Sequence, residues 1–251
     1  MNKTIIVKVG TESLANFHTS EKVEKMIADI AKLMKQKISV ILISSGAVGC
    51  GKEILGGDKN NQVYASVGQP VLMGRYAEKF QKRDIVTAQI LPTHATLEDI
   101  ESHRTQFIRT VNDIIEAGVL PIINENDALS TAEMQALGRG ADNDQNALLI
   151  ARILGATDII LLTNTNGVYR DKNDSSSRIK ILKAKTITDE WIHRVCGEKS
   201  ASGTGGMQSK VIIGREFAKN GGVTHVCDGV HSTVYEHALG RDIHGGTRIK
   251  V

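Results

Sequence analysis

Short apolar runs alternate with helical stretches along the whole chain. The runs at residues 4–10, 39–44, 118–123 and 158–163 are rich in β-branched residues, as expected of strands that are buried on both faces. Between them lie stretches with apolar residues at helical spacing, and residues 20–37 show this spacing most clearly. The alternation predicts an α/β fold, a three-layer α/β/α sandwich with a mainly parallel central sheet.

The chain has 251 residues, and no Pro- or Ser-rich linker divides it. We therefore predict one domain with two lobes, an N-terminal lobe over about residues 1–155 and a C-terminal lobe over about 156–251. Further strands are predicted at 85–91, 223–227 and 246–251, and further helices at 62–83 (broken at Gly68-Gln69-Pro70), 96–117, 144–154, 187–195 and 209–220.

Composition excludes several classes of function. Aromatic residues make up only 4% of the chain and the net charge is only +3, which disfavours a nucleic-acid partner. The chain contains no stretch of 18 uncharged apolar residues, so no membrane span is predicted. The N-terminus lacks the features of a signal peptide, and a cytoplasmic location is therefore expected. The three cysteines and eight histidines show no metal-ligand spacing, so no protein metal site is predicted.

The densest polar cluster follows the predicted strand at residues 118–123. Glu125, Asp127, Asp142 and Asp144 supply four carboxylates, and asparagines alternate with them. Ligands of open α/β sheets bind beyond the carboxyl ends of strands, so these residues predict a ligand site. Carboxylates there could hold an ammonium group or orient lysines. The alternative is a hydrophilic loop with Asx turns and a helix N-cap.

Two lysines occupy positions where a cation could meet an anion. Lys8 interrupts the first apolar run, either as a cation projecting from the strand end or as an edge-strand lysine whose amino group reaches solvent. Lys210 follows the glycine-rich segment 200–206 in the first turn of a predicted helix. That segment is either a phosphate cradle at a helix N-terminus or a flexible linker capped by Thr204.

A second glycine-rich segment, residues 45–53, follows the strand at 39–44 and is predicted to form a turn. Residues 46–52 match G-x-x-x-x-G-K, but Glu53 stands where a P-loop has Ser or Thr, so the match is weak. Ser45 and the backbone N–H groups after it could instead form a nest for a carboxylate or phosphate. Two lysines and two such cradles together favour phosphoryl transfer, in which positioning and charge neutralisation dominate.

Five motifs together carry a family resemblance. They are Val7-Lys8-Val9-Gly10-Thr11, Ser44-Ser45-Gly46-Ala47, Ile123-Asn124-Glu125-Asn126-Asp127-Ala128, Asp142-Asn143-Asp144 and Gly203-Thr204-Gly205-Gly206-Met207-Gln208-Ser209-Lys210. With these motifs the chain resembles the amino-acid kinase family and, within it, the glutamate 5-kinases. The resemblance extends from the first strand to the end of the chain. It implies ATP-dependent phosphorylation of the side-chain carboxylate of L-glutamate, in the first step of proline biosynthesis.

Site roles carried over from the family divide into three groups. Lys8 and Lys210 would contact the ATP phosphates as catalytic residues, and Asp144 would hold both lysines in place. Ser45, Asp127 and Asn143 would bind glutamate, with Asp142 in a supporting position. The nucleotide site would be lined by Lys8, Thr163, Asn164, Thr204, Gly205, Gly206, Met207, Gln208, Ser209 and Lys210.

The resemblance also implies cofactors and partners. Mg²⁺ would accompany ATP, held mainly by phosphate oxygens and water rather than by a protein cage. Proline would act as feedback inhibitor at the glutamate site, the reductase of the next step could be a partner, and the chain would form a homo-oligomer, a dimer or a tetramer.

Three features depart from the family pattern. The family usually has Thr-Asp where this chain has Thr163-Asn164, the loop 135–140 is longer than usual, and the C-terminal domain of many bacterial relatives, which resembles RNA-modification (PUA) modules, is not expected here. Rival interpretations are a nucleoside monophosphate, acetylglutamate or carbamate kinase, and a non-catalytic amino-acid sensor.

Overall fold

The computed structural model describes residues 3–97, 101–129, 143–197, 206–241 and 244–251. Its centre is one eight-stranded sheet with the order β3-β4-β2-β1-β5-β7-β8-β6. All neighbouring strands are parallel except β7 and β8, so β8 and β6 run against the others. The strands are β1 (Thr4–Val9), β2 (Ser39–Ser44), β3 (Thr87–Ile90), β4 (Leu120–Ile123), β5 (Asp158–Leu162), β6 (Ile181–Lys183), β7 (Val223–Cys227) and β8 (Thr247–Lys250).

Helices cover both faces of this sheet. Several begin at a capping side chain: Ser20 accepts from the backbone N–H of Val23, and Thr233 forms a capping box with Glu236. In the described ranges, no helix combines the length and the apolar character that crossing a bilayer requires. The helices are α1 (Glu21–Lys35), α2 (Ala47–Leu55), α3 (Asn61–Gln81), α4 (His94–Leu97), α5 (Glu101–Glu116), α6 (Asn143–Ile153), α7 (Asp189–Cys196), α8 (Met207–Ala218) and α9 (Val234–Ala238).

Strand β1 shows how the two cores are divided. Its alternate residues Ile5, Val7 and Val9 pack into a core with α1, α3 and α9, whereas Ile6 packs into a second core with α5, α6 and α8. Side chains of a strand alternate between faces, so an apolar residue at every position predicts burial on both sides. The α/β/α class predicted from the sequence is confirmed.

Two local predictions were wrong. Residues 45–53 were predicted to form a glycine-rich turn, but residues 47–55 form helix α2, with left-handed Gly46 (φ 111°) as the residue before it. Helix α3 runs through Gly68 and Pro70 without a break. Strand β6 and helix α9 were not predicted, because elements of three and five residues are too short for a periodic pattern. The division into two lobes stays a prediction.

Gly51 and Gly68 explain why α2 and α3 form despite the glycine and proline residues that they contain. A Cβ on Gly51 would lie 1.9 Å from the carbonyl oxygen of Tyr64, and one on Gly68 would lie 1.8 Å from that of Ala47. The backbones of α2 and α3 are therefore in direct contact, which only glycine permits. The burial gained by this packing outweighs the low helix propensity of glycine.

Candidate active site

An ion-pair cluster lies where β1, α6 and α8 meet. Asp144 is fully buried, and its Oδ1 pairs with the amino group of Lys8 while its Oδ2 accepts a 2.8 Å hydrogen bond from that of Lys210. Both lysines are also buried, at 6% and 7% exposure. The structure therefore brings together the three residues for which the sequence predicted catalytic roles.

The alternation of side chains along β1 explains this meeting. Lys8 lies on the same face as Ile6, the face covered by α6 and α8, so it extends toward Asp144 in the first turn of α6 and Lys210 in the first turns of α8. An aspartate is favourable at a helix N-terminus. Since β1 pairs with both β2 and β5, the edge-strand interpretation of Lys8 is wrong.

The parallel register places the other predicted segments beside this cluster. Val9 is opposite both Ser44 and Leu162, and Ile43 is opposite Ile123. The residues that follow these strands, Ser45 included, therefore lie along one edge of the sheet. Ser45 is 9% exposed, and its backbone N–H donates to the carbonyl of Val9.

A cavity of about 240 Å³ opens between α2, α3 and the loop after β4. Glu125 and Asp127 line it together with Ala47, Ser66 and Gln69. Burial and then the nearby charge of Asp127 raise the pKa of Glu125 to about 7, although Asn146 donates a 3.0 Å hydrogen bond to it. Burial also raises the pKa of Asp127. A bound cation would stabilise the ionised form of both carboxylates and so lower both pKa values.

Amide side chains orient one another behind this cavity. The Asn124 Oδ1 accepts from the backbone N–H of Glu125 at 3.0 Å, and the Asn124 Nδ2 donates to the Gln69 Oε1 at 2.8 Å. Sequence reasoning missed Gln69 because it was assigned to a helix break. Its spacing from the buried Ala65, Leu72 and Tyr76 was the available signal, since a glutamine in an apolar helical stripe is unusual.

On the predicted nucleotide side, Asn164 lies between two charged groups. The amino group of Lys22 donates to the Thr163 carbonyl and to the Asn164 Oδ1, both at 2.9 Å, and the Asn164 Nδ2 donates to the Glu12 Oε2 at 3.0 Å. Burial lowers the pKa of Lys22, an effect that the charge of Asp228 opposes. An amide suits this position because a carboxylate would repel Glu12.

Helix α8 begins at Met207, directly after Gly206. The backbone N–H groups of its first turn, with Gln208 and Ser209 beside them, form the kind of helix N-terminus that binds phosphate. Three predicted site residues, Asp142, Thr204 and Gly205, lie outside the described residues, as does the loop 135–140. Asn143 begins the backbone of α6, and its side chain is outside the description.

Residues 3–228 match the sequence model of the amino acid kinase family. This match covers most of the chain. The chain belongs to the amino acid kinase family. Its membership agrees with the placement of buried lysines and a polar cavity at the carboxyl edge of the sheet.

Relatives within this family are named glutamate 5-kinase. The chain is 34% identical over 220 residues to the one from Streptococcus thermophilus, covering 83% of this chain and 82% of that protein. It is 34% identical over 233 residues to the one from Clostridium perfringens, covering 88% and 85%. Glutamate 5-kinase 1 from Bacillus licheniformis is 37% identical over 222 residues, but the chain spans only 59% of its length.

Solved structures of other proteins share the fold. The carbamate kinase from Giardia lamblia bound to AMP-PNP superposes with a TM-score of 0.66 over 99% of this chain and 98% of that one. Sequence identity is 15%, so the likeness concerns the architecture alone.

Proposed function

We propose that the chain transfers the γ-phosphoryl group of ATP to the side-chain carboxylate of L-glutamate, as a glutamate 5-kinase. The observation that carries the proposal is the placement of Lys8 and Lys210 on opposite oxygens of Asp144, along the same sheet edge as a carboxylate-lined cavity. The names of the relatives support the choice of acceptor.

The chain supplies positive charge where the reaction concentrates negative charge. The acceptor carboxylate, with an ordinary pKa near 4.3, is already ionised at neutral pH, so the reaction needs no general base. An acceptor oxygen forms a bond to the γ-phosphorus while the bond from that phosphorus to the bridging β–γ oxygen breaks and ADP leaves. Lys8 and Lys210 would stabilise the charge on the transferring group.

Asp144 holds the two ammonium groups in position before ATP arrives. Two buried cations repel one another, and an anion that contacts both offsets the repulsion. Because its oxygens already face two lysines, Asp144 is poorly suited to bind a metal directly. Mg²⁺ carried by the phosphate oxygens of ATP and by water fits this arrangement, and it would neutralise part of the phosphate charge.

The cavity would hold the amino-acid end of the acceptor. Asp127 would bind the α-ammonium group, since its carboxylate is half-buried beside Glu125. Ser45, directly after β2, would also bind the acceptor. On the other side, Thr163, Asn164 and the start of α8 would bind the nucleotide.

An ADP-release assay with alternative acceptors tests the proposal. Glutamate should give rapid turnover, whereas N-acetylglutamate, carbamate and a nucleoside monophosphate should not. Strong turnover with N-acetylglutamate and none with glutamate would refute the choice of acceptor, and no turnover with any of them would favour a sensor. Asp127→Asn should raise the KM for glutamate far more than that for ATP.

The same assay with added proline examines inhibition. Proline inhibition, a homo-oligomer, a reductase partner and a cytoplasmic location stay predictions.

A further inference from the structure

Gln69 is a buried amide with one end bonded and the other end unpaired. It is 8% exposed, lines the carboxylate cavity, and accepts the hydrogen bond from Asn124 through its Oε1. Within the described ranges its Nε2 is buried and has no hydrogen-bond partner. Buried polar groups are nearly always bonded, so an unpaired N–H donor beside a cavity indicates a missing acceptor.

Neighbouring bonds determine which end of the amide is unpaired. A backbone N–H can only donate, so the atom of Asn124 that contacts the N–H of Glu125 must be its oxygen. The other end of Asn124 is then its NH₂ group, and the Gln69 atom that accepts from it must be the oxygen. The unpaired end of Gln69 is therefore an NH₂ donor and not an acceptor.

The groups around Gln69 divide the cavity by charge preference. Glu125 and Asp127 attract a cation, whereas the amide NH₂ of Gln69 attracts an anion. A free α-amino acid carries an ammonium and a carboxylate on one carbon, which matches this pairing. Gly68 permits the close contact between α3 and α2 that places Gln69 next to Ala47 in the cavity wall.

We infer that Gln69 binds the α-carboxylate of the substrate while Glu125 and Asp127 receive its α-ammonium group. The inference rests on the proposed function and makes it more specific, since it assigns the recognition of the α-carboxylate to one side chain. Asn124 acts as a positioning residue, because its bond fixes the orientation of the Gln69 amide.

Gln69→Glu tests the assignment with a minimal change. The new side chain keeps an oxygen to accept from Asn124 but replaces the NH₂ donor by a second, negatively charged oxygen. Binding of L-glutamate should weaken by about tenfold to a hundredfold, because two carboxylates would then face each other. Binding of 4-aminobutyrate, which has the ammonium and distal carboxylate but no α-carboxylate, should stay within about twofold or tighten.

The measurements are the dissociation constant of L-glutamate by calorimetry and the inhibition constant of 4-aminobutyrate against glutamate turnover. Gln81→Glu is the matched control, since Gln81 is exposed at the end of the same helix, and it should change neither constant. Gln69→Met, which removes the donor without adding charge, should weaken glutamate selectively as well.

Equal weakening of both ligands, or unchanged glutamate binding in Gln69→Glu, would overturn the role of Gln69. If Gln69→Glu gives either of these results but the wild-type protein phosphorylates glutamate, the proposed function still stands. If wild-type protein neither binds nor phosphorylates glutamate, both proposals fail together.

Discussion

Two buried aspartates each join two basic side chains, at opposite ends of one sheet. Asp144 contacts Lys8 and Lys210 beyond the carboxyl ends of the parallel strands. Asp158, the first residue of β5, contacts the Nζ of Lys3 and the Nε2 of His225, each at 3.0 Å, at the amino end.

The amino-end cluster extends to helix α9 through two further hydrogen bonds. The Nδ1 atoms of His225 and His237 are 3.0 Å apart, and Lys3 also donates to the Ala238 carbonyl at 2.6 Å. Burial opposes the charge of Asp158, but hydrogen bonds from His225 and Thr157 outweigh it, so the pKa of Asp158 is lowered. Burial lowers the pKa of both histidines, that of His237 to about 3.

The difference shows that location decides what a buried ion pair does. At the amino end, the cluster joins three elements of the core, β5, β7 and α9, to Lys3, the residue just before β1. At the carboxyl end, the loops after the strands leave room for a cavity with an unpaired amide and two carboxylates of raised pKa. We therefore expect mutations at the first cluster to change stability and mutations at the second to change catalysis.

The largest expected effect is on catalysis at the carboxyl end. Lys8→Ala or Lys210→Ala should lower kcat about a hundredfold or more, because in the proposed reaction each lysine supplies charge that stabilises the transition state. Steady-state kinetics measure this, with circular dichroism to check folding. Lys3→Ala, which removes a lysine from the other cluster, is the control and should leave kcat within about twofold. Similar losses of kcat in all three variants would show that the two clusters do not differ in their importance for catalysis.

Next in size is a loss of stability at the amino end. Asp158→Asn should lower the free energy of unfolding by roughly 1–2 kcal/mol, since it removes the charge that pairs with the half-exposed Lys3 and weakens the buried hydrogen bond to His225. Urea unfolding measures the change, and kcat at a permissive temperature should stay near wild type. Asp113→Asn on the exposed face of α5 is the matched control. A kcat loss with unchanged stability would reverse the assignment of the two clusters.

Acid should weaken the amino-end cluster. Between the lowered pKa of the folded-state histidines and the unfolded value near 6.5, the unfolded chain binds protons that the folded chain excludes. Stability should therefore fall as the pH drops below about 6.5. Urea midpoints measured across this range should fall less steeply in His237→Gln. Parallel curves for the variant and wild type would mean that His237 does not contribute.

The carboxyl-end cavity should respond to pH through ligand binding. The pKa of Glu125 is about 7, and only its ionised form attracts the substrate ammonium, so the KM for glutamate should rise as the pH falls below that value. The expected rise approaches about tenfold per pH unit. Glu125→Gln should have a higher KM that varies less over the same range. An unaltered pH profile in this variant would exclude Glu125 as the responsible group.

The smallest effect concerns the nucleotide side. Asn164→Asp should raise the KM for ATP a few-fold, since the new carboxylate would face Glu12. Adding Glu12→Gln should restore it by removing the repulsion, and the KM for glutamate should change little. If the double variant is no better than the single one, the two residues are not coupled.

The pattern of apolar residues predicted most of the fold. The segments that form β1, β2 and β5 are apolar at nearly every position, and such a run can be recognised as a strand buried on both faces from the local sequence alone. Helix α2 was not predicted because its glycines indicate a turn, and only the backbone contact with α3 explains why glycines occur in this helix. Propensity is a weak guide where backbone packing supplies the stabilisation.

Of the site, the sequence by itself determined the chemical groups: two lysines, a set of carboxylates and amides, and the strand ends that carry them. That Lys8 and Lys210 share Asp144 was expected from the family resemblance alone, and the tertiary structure supplies the contact between these residues, which are far apart in the chain. Only the tertiary structure decided that Gln69 faces the acidic loop with an unpaired donor. The physical reason is that strand order and helix crossing determine which side chains meet, and both depend on long-range packing rather than on local pattern.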